Sequence, residues 1–228
     1  MDKTSPVKAI IFDVDGTFYE PVPELNEILH KYWIKRISDF KRIPPEEAEA
    51  LYRNLKSQYK SSTRVIESIG IENTVEILQQ AESFMMNPIR DYIKPDRKMV
   101  KLIKNLRSQF PLYTLRNGTR AGTRFILGRL GFENKRGARK GYGPFEDILP
   151  TGELGFTKPH PEVYKNAMKI LGLKPTEVVM VGDRIDVDLV QAKKIGMKTV
   201  WVSWGREVDD THGVDVVIDT IYDMEQLI

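Results

Sequence analysis

Short apolar runs that read as buried strands alternate with amphipathic helical stretches along the second half of the chain, and few folds accommodate that alternation. From Pro95 the periodicity predicts a helix over 97–108, a strand over 111–116 (PLYTLR), and helices over 119–130 and 161–171. It then predicts a strand over 177–181 (EVVMV), a helix over 186–195, and strands over 198–202 (KTVWV) and 214–218 (VDVVI). Apolar strands separated by helices pair in parallel, with helices covering both faces of the sheet. The expected fold class is therefore α/β, with a Rossmann-like parallel sheet.

One strand of this pattern stands apart from the rest. Residues 7–12 (VKAIIF) read as a buried strand, yet the chain from there to about residue 94 carries helical periodicity alone. IPPEEAEALYRNL places prolines and glutamates where a helix beginning near Pro45 tolerates and favours them. NTVEILQQAESFMMN, 73–87, reads as a further helix stopped by Asn87-Pro88, with Leu78, Phe84, Met85 and Met86 expected in the core. The expected organisation is a discontinuous α/β core, 1–19 and 95–228, interrupted by an inserted helical domain, 20–94. FENKRGARKGYGPF, 132–145, reads as an exposed glycine-rich loop, and its Arg136, Arg139 and Lys140 either grip an anion or simply face water.

Charge and composition narrow the function. The 228 residues carry 35 basic against 32 acidic side chains, a net charge of +3, which is a mixed surface and not the basic footprint of a nucleic-acid binder. Cysteine is absent, which excludes thiolate catalysis and zinc–thiolate sites. The apolar run before Asp13 is too short for a secretory core or a membrane span, so a cytoplasmic setting is expected, with no membrane partner.

Ligands of a parallel sheet bind beyond the carboxyl ends of its strands. Those ends are unusually polar here. The first delivers Asp13 and Asp15; the second delivers Thr114, Arg116 and Asn117; the segment before helix 161–171 delivers Lys158; strand 177–181 delivers Asp183, with Asp186 and Asp188 soon after. Two aspartates flanking one residue repel unless a cation sits between them, and hard oxygen ligands in this number suit Mg²⁺. Plainer readings stand beside this one. Asp13 and Asp15 could cap a turn, Lys158 could be a solvated lysine, Asp188 could serve only helix electrostatics, and Asp186 is expected to cap its own helix. His30, His160 and His212 form no cluster in sequence, and Trp33, Trp201 and Trp204 are packing candidates.

Four blocks, DVDGT after an apolar strand, the polar LYTLRNGT, TKPHPEVY and VGDRIDVDLVQAKKIGMKTVWV, together resemble the haloacid dehalogenase superfamily of phosphatases, in the form with an α-helical cap inserted after the first strand. The resemblance implies that Asp13 is a nucleophile forming an aspartyl-phosphate, Asp15 a general acid and base, and Lys158 a stabiliser of both nucleophile and phosphoryl charge. It implies Mg²⁺ held by Asp13, Asp183 and the backbone carbonyl of Asp15, with Asp188 in support behind them. Dehalogenating members lack a carboxylate at the position of Asp15. The family pattern places Thr or Ser before Asn-Gly at the second strand end, and this chain has Arg116 there, leaving Thr114, Arg116 and Asn117 as the candidates for binding the substrate phosphate. The expected reaction is hydrolysis of a small phosphomonoester, with a small phosphorylated metabolite as partner and a monomer or homodimer as the assembly. A phosphomutase, and a weakly active or regulatory member impaired by Arg116, are the alternatives.

Overall fold

The computed structural model describes residues 6–71, 74–134, 140–149, 151, 155–209 and 211–227. Strand β1 (Ala9–Phe12) is buried at all four residues, as a strand covered on both faces must be. Its neighbours are β2 (Leu112–Thr114) and β4 (Val178–Gly182), both parallel to it. With β3 (Asp147–Ile148), β5 (Lys198–Val202) and β6 (Val216–Ile218) the parallel sheet has the order β3-β2-β1-β4-β5-β6. The order reverses beside β1, and an open parallel sheet opens its ligand crevice at that point. Asp13 and Asp183 stand just past the ends of β1 and β4, the two strands that flank it.

The two-residue side-chain period divides the strands between two cores. Ile10, Phe12, Val179, Val181, Val200 and Val202 face one apolar cluster, which α5 (Arg97–Arg107) and α6 (Arg120–Arg129) cover with residues such as Leu102 and Leu127. Ala9, Ile11, Val178, Met180 and Trp201 face the other, beneath α7 (Pro161–Leu171) and α8 (Val190–Lys194). The expected α/β class is thus the observed one. Strand β3, two residues long, is too short to carry a period in the sequence. The expected helix 186–195 starts instead with a wide π-type turn over Ile185–Leu189.

The described residues of 20–94 form four helices, α1 (Pro23–Lys41), α2 (Pro45–Tyr59), α3 (Ser62–Ser68) and α4 (Thr74–Tyr92). Proline opens α1 and α2, where its missing N–H costs nothing. The four share a cluster of their own around Trp33, Ile37, Tyr52, Val65 and Ile77. Helix α4 does not stop at Asn87-Pro88, as its sequence suggests, but runs on to Tyr92 with Pro88 inside it. An internal proline costs roughly 3 kcal/mol. Ile89 and Ile93 beyond it are buried in the first sheet cluster, at about 1.5–3 kcal/mol each, and that burial outweighs the cost. Of the apolar residues expected in this helix's core, Leu78 and Met85 are buried, but Phe84 and Met86 are exposed. The segment 132–145 is not uniformly exposed either: Phe132 and Phe145 are buried with Phe18 in an aromatic cluster. Lys140 is exposed, while Arg136 and Arg139 lie outside the described residues.

Candidate active site

Asp13 leaves the end of β1 buried, with its backbone N–H bonded to the Val181 carbonyl of β4. Lys158 reaches it from the segment before α7: Nζ donates to Asp13 Oδ1 at 2.6 Å and to Asp188 Oδ1 at 2.7 Å. A lysine only 2% exposed is tolerable because two carboxylates flank it. Burial alone would lower its pKa, and Asp13 and Asp188 reverse that, leaving it raised and the ammonium charged. Thr17 Oγ1 donates to the other oxygen of Asp13 at 3.3 Å. Burial raises the Asp13 carboxyl to about 6 against the pull of Lys158, with Asp188 and Asp15 adding to the rise.

Asp183 comes directly after β4, and its carboxylate is nearly unserved. Oδ1 is buried with no hydrogen-bond partner among the described residues, and Arg206 lies 3.4 Å from Oδ2. Burial, then Asp188 and Asp13, push this carboxyl up to about 8, while Arg206 and Arg184 pull it down. Oxygens of Asp13, Asp183 and Asp188 all lie within 4.8 Å of one another. An orphaned buried carboxylate oxygen beside two more carboxylates fits a hard divalent cation, because that charge would offset both the burial and the repulsion that raise Asp13 and Asp183. The Asp15-Gly16 turn is pressed against this group: Gly16 has φ +78°, and a Cβ there would lie 2.6 Å from Asp183 Oδ2. Trp204, itself at φ +53°, donates from Nε1 to the Gly16 carbonyl at 2.6 Å. A bulky residue in the left-handed region stores strain, and here it secures the turn that carries Asp15.

Arg116 stands beside Asp15. Its Nε donates to Asp15 Oδ2 at 2.6 Å and its Nη1 to Glu82 Oε1 of α4 at 2.5 Å. Tyr19 OH donates to the remaining oxygen of Asp15 at 2.6 Å. Glu82 also accepts from the N–H of Thr119, at 3.0 Å, and from its hydroxyl, at the start of α6. Burial would lower the pKa of Arg116, and the two carboxylates raise it instead. Asn117 grips the backbone of Lys158 from both sides, with Nδ2 donating to its carbonyl at 2.9 Å and Oδ1 accepting from its N–H at 2.7 Å.

The structure therefore brings Asp13, Asp15, Arg116, Asn117, Lys158, Asp183 and Asp188 to one cavity of about 290 Å³ between the sheet end and the helices of 20–94. Thr114 does not reach it. Its side chain is buried within β2, and its hydroxyl has no partner among the described residues. Asp186 is exposed near Arg184 and does not cap its turn; Asp188 is buried and accepts the Arg184 N–H at 3.1 Å. His160 caps α7 by accepting from the Glu162 N–H, and His30 pairs with Glu49. Trp33 and Trp201 are buried, and Trp201 also donates from Nε1 to the Asp183 carbonyl at 2.9 Å. The parts played by Glu82, Tyr19 and Trp204 have no clear mark in the sequence. Glu82 looks like any polar residue of an amphipathic helix, and Tyr19 offers only its place four residues after Asp15.

A family model described as haloacid dehalogenase-like hydrolase matches residues 7–196. The chain is 28% identical over 212 residues, 89% of its length and 87% of the relative's, to a glyceraldehyde 3-phosphate phosphatase of Methanopyrus kandleri. Its fold is similar to that of a HAD phosphatase from Thermococcus onnurineus, with a TM-score of 0.63 at 20% identity over 97% of both chains. It is similar to the same degree to a 2-haloacid dehalogenase from Pseudomonas syringae, with a TM-score of 0.61 at 19% identity over 97% of both chains.

Proposed function

The chain belongs to the haloacid dehalogenase-like hydrolases, and on that premise we propose that it is a Mg²⁺-dependent phosphatase of small phosphomonoesters. Fold alone does not separate phosphatases from dehalogenases, since solved structures of both kinds are equally similar to it. The observation that carries the reading is the second carboxylate: Asp15 lines the same cavity as Asp13. A departing alkoxide needs a proton and an attacking water must lose one, and a carboxyl group there can do both.

Asp13, Asp183 and the backbone carbonyl of Asp15 would hold Mg²⁺, which supplies charge against the phosphoryl oxygens and suppresses the repulsion among the carboxylates. Lys158 neutralises Asp13 and orients it, leaving an oxygen to attack phosphorus in line. The ester oxygen departs with a proton from Asp15. Asp15 then takes a proton from water as that water attacks the aspartyl-phosphate and releases inorganic phosphate. Asn117 keeps Lys158 in place through its backbone. The helical segment 20–94 acts as a cap that excludes water and bounds the leaving group, since the cavity is walled by α1, α2 and α4 opposite the strand ends.

A volume near 290 Å³ suits a phosphate carrying few carbons, in keeping with a relative named for a three-carbon substrate. Arg116 favours a second version of the reading, a slow or regulatory member, because its guanidinium occupies both Asp15 and the cap helix. Hydrolysis of an aryl phosphate with and without Mg²⁺ tests the reading: Mg²⁺-dependent turnover supports it, and binding without turnover favours the regulatory version. Net phosphate release from a hexose phosphate, instead of isomerisation, separates it from a phosphomutase.

A further inference from the structure

Asp13 lines the cavity from a strand end, and from helix α2 a cation that the reaction above does not use lines it too. Lys56, near the end of α2, lines the cavity with its side chain half-buried. Its Nζ donates to Ser62 Oγ at 2.8 Å, and Ser62 in turn meets the Tyr52 hydroxyl. No carboxylate pairs with it among the described residues, and an ammonium has three donors to place. The charges that face it are Arg184 and, more weakly, Asp186. Arg184 lines the same cavity and is steadied by donating to the Lys60 carbonyl at 3.1 Å.

A half-buried cation and the second cation beside it repel each other, and an anion between the two would relieve that repulsion. Burial and Arg184 push Lys56 down to about 8. The pairing elsewhere in the molecule makes the contrast: Lys158 and Arg116 each hold two carboxylates. Leu25, Leu29, Leu78 and Met85 also line the cavity, and they suit carbon and not charge.

We propose that Lys56, with Arg184 beside it, is the subsite for the end of the substrate remote from the phosphate, and that it takes a carboxylate. The inference rests on the phosphatase reading for which end is which. It narrows the substrate class to phosphorylated short-chain acids over phosphorylated alcohols of the same length. Lys56 is a specificity residue and takes no part in bond breaking.

Calorimetry on the full chain carrying Asp13→Asn, in the presence of Mg²⁺, tests this without depending on turnover. The two probes are 3-phosphoglycerate and glycerol 3-phosphate, which share a carbon skeleton and differ at the end group. The acid should bind at least about tenfold more tightly than the alcohol, the size of one charge-assisted hydrogen bond. Adding Lys56→Met should reduce that preference to under about threefold while leaving the alcohol's affinity in place, and Lys56→Arg should retain most of it. Equal binding of the two probes, or a preference that survives Lys56→Met, overturns the proposal. Aryl phosphate hydrolysis by the unaltered chain, measured separately, reports on the phosphatase reading alone, so the two can fail independently.

Discussion

Arg116→Thr restores the hydroxyl residue that the family pattern places before Asn-Gly, and it releases Asp15 from the guanidinium that holds it. In the structure Asp15 must part from Arg116 before it can serve a leaving group, because Tyr19 and Arg116 between them occupy both its oxygens. A charge-assisted hydrogen bond is worth about 1.5–3 kcal/mol. The Asp15 side chain is 45% exposed, so solvent screening places this bond at or below the lower figure, about 1.4 kcal/mol. The substitution is therefore expected to raise kcat/KM by about tenfold. It also deprives Glu82 of one of its partners, although the N–H and hydroxyl of Thr119 remain, so Tm should fall while the protein stays folded at about 25 °C. Steady-state kinetics on an aryl phosphate below the new Tm decide the matter, with Glu82→Gln as a companion that loosens Arg116 from the cap helix and should give a smaller gain. A folded Arg116→Thr protein with a lower kcat/KM would show the obstruction to be imaginary. Arg116 would then be a phosphate ligand that leaves Asp15 and Glu82 when substrate arrives.

Asp183→Ala should raise the Mg²⁺ concentration needed for half-maximal activity by at least about tenfold, because it removes a buried oxygen that no other described group serves; an unchanged Mg²⁺ titration would take Asp183 out of the metal site. Gly16→Ala forces a Cβ to within 2.6 Å of Asp183 Oδ2 at φ +78°, and should weaken Mg²⁺ binding about as much, as read by the metal-induced rise in Tm; a normal rise would mean that the turn yields freely. Asp13 and Asp183 are raised to about 6 and about 8, so the folded chain holds protons that the unfolded chain has released. Their contribution to stability is complete below the unfolded value near 3.8 and is lost as pH climbs through 6 and 8. Without metal, Tm should fall between about pH 5 and 8.5, and Mg²⁺ should stabilise more at the upper end, with Asp183→Asn flattening the fall; a metal-free Tm that rises across this window would contradict the burial and repulsion invoked here.

Strands β1, β4 and β5 are legible in the sequence because they are buried on both faces, so AIIF, VVMV and VWV stand out as unbroken apolar runs. Asp13 and Asp183 are legible because strand ends are local in sequence, and the residues just past each end must face the crevice, whereas Lys158 is legible only through the TKPHPEVY block that leads into α7. Helix α4 defies its Pro88 because the burial of Ile89 and Ile93 is a tertiary effect that propensity does not contain. The same limit hides Glu82, which meets Arg116 across 34 residues of sequence, and Trp204, whose contact with Gly16 spans 188. Asp188 supports the site as expected, by holding Lys158, whereas Asp186 does not cap its helix, because the wide turn over Ile185–Leu189 leaves it in solvent.

The proposed chemistry stands or falls on whether Asp13 becomes phosphorylated. Acid quenching during turnover of an aryl phosphate with Mg²⁺, then proteolysis and mass spectrometry, should find one phosphoryl group on the peptide that carries Asp13. Asp13→Asn should show neither the adduct nor turnover while keeping a native circular dichroism spectrum. Turnover at the unaltered rate in Asp13→Asn, or phosphoryl transfer to another side chain in the unaltered protein, would contradict this mechanism.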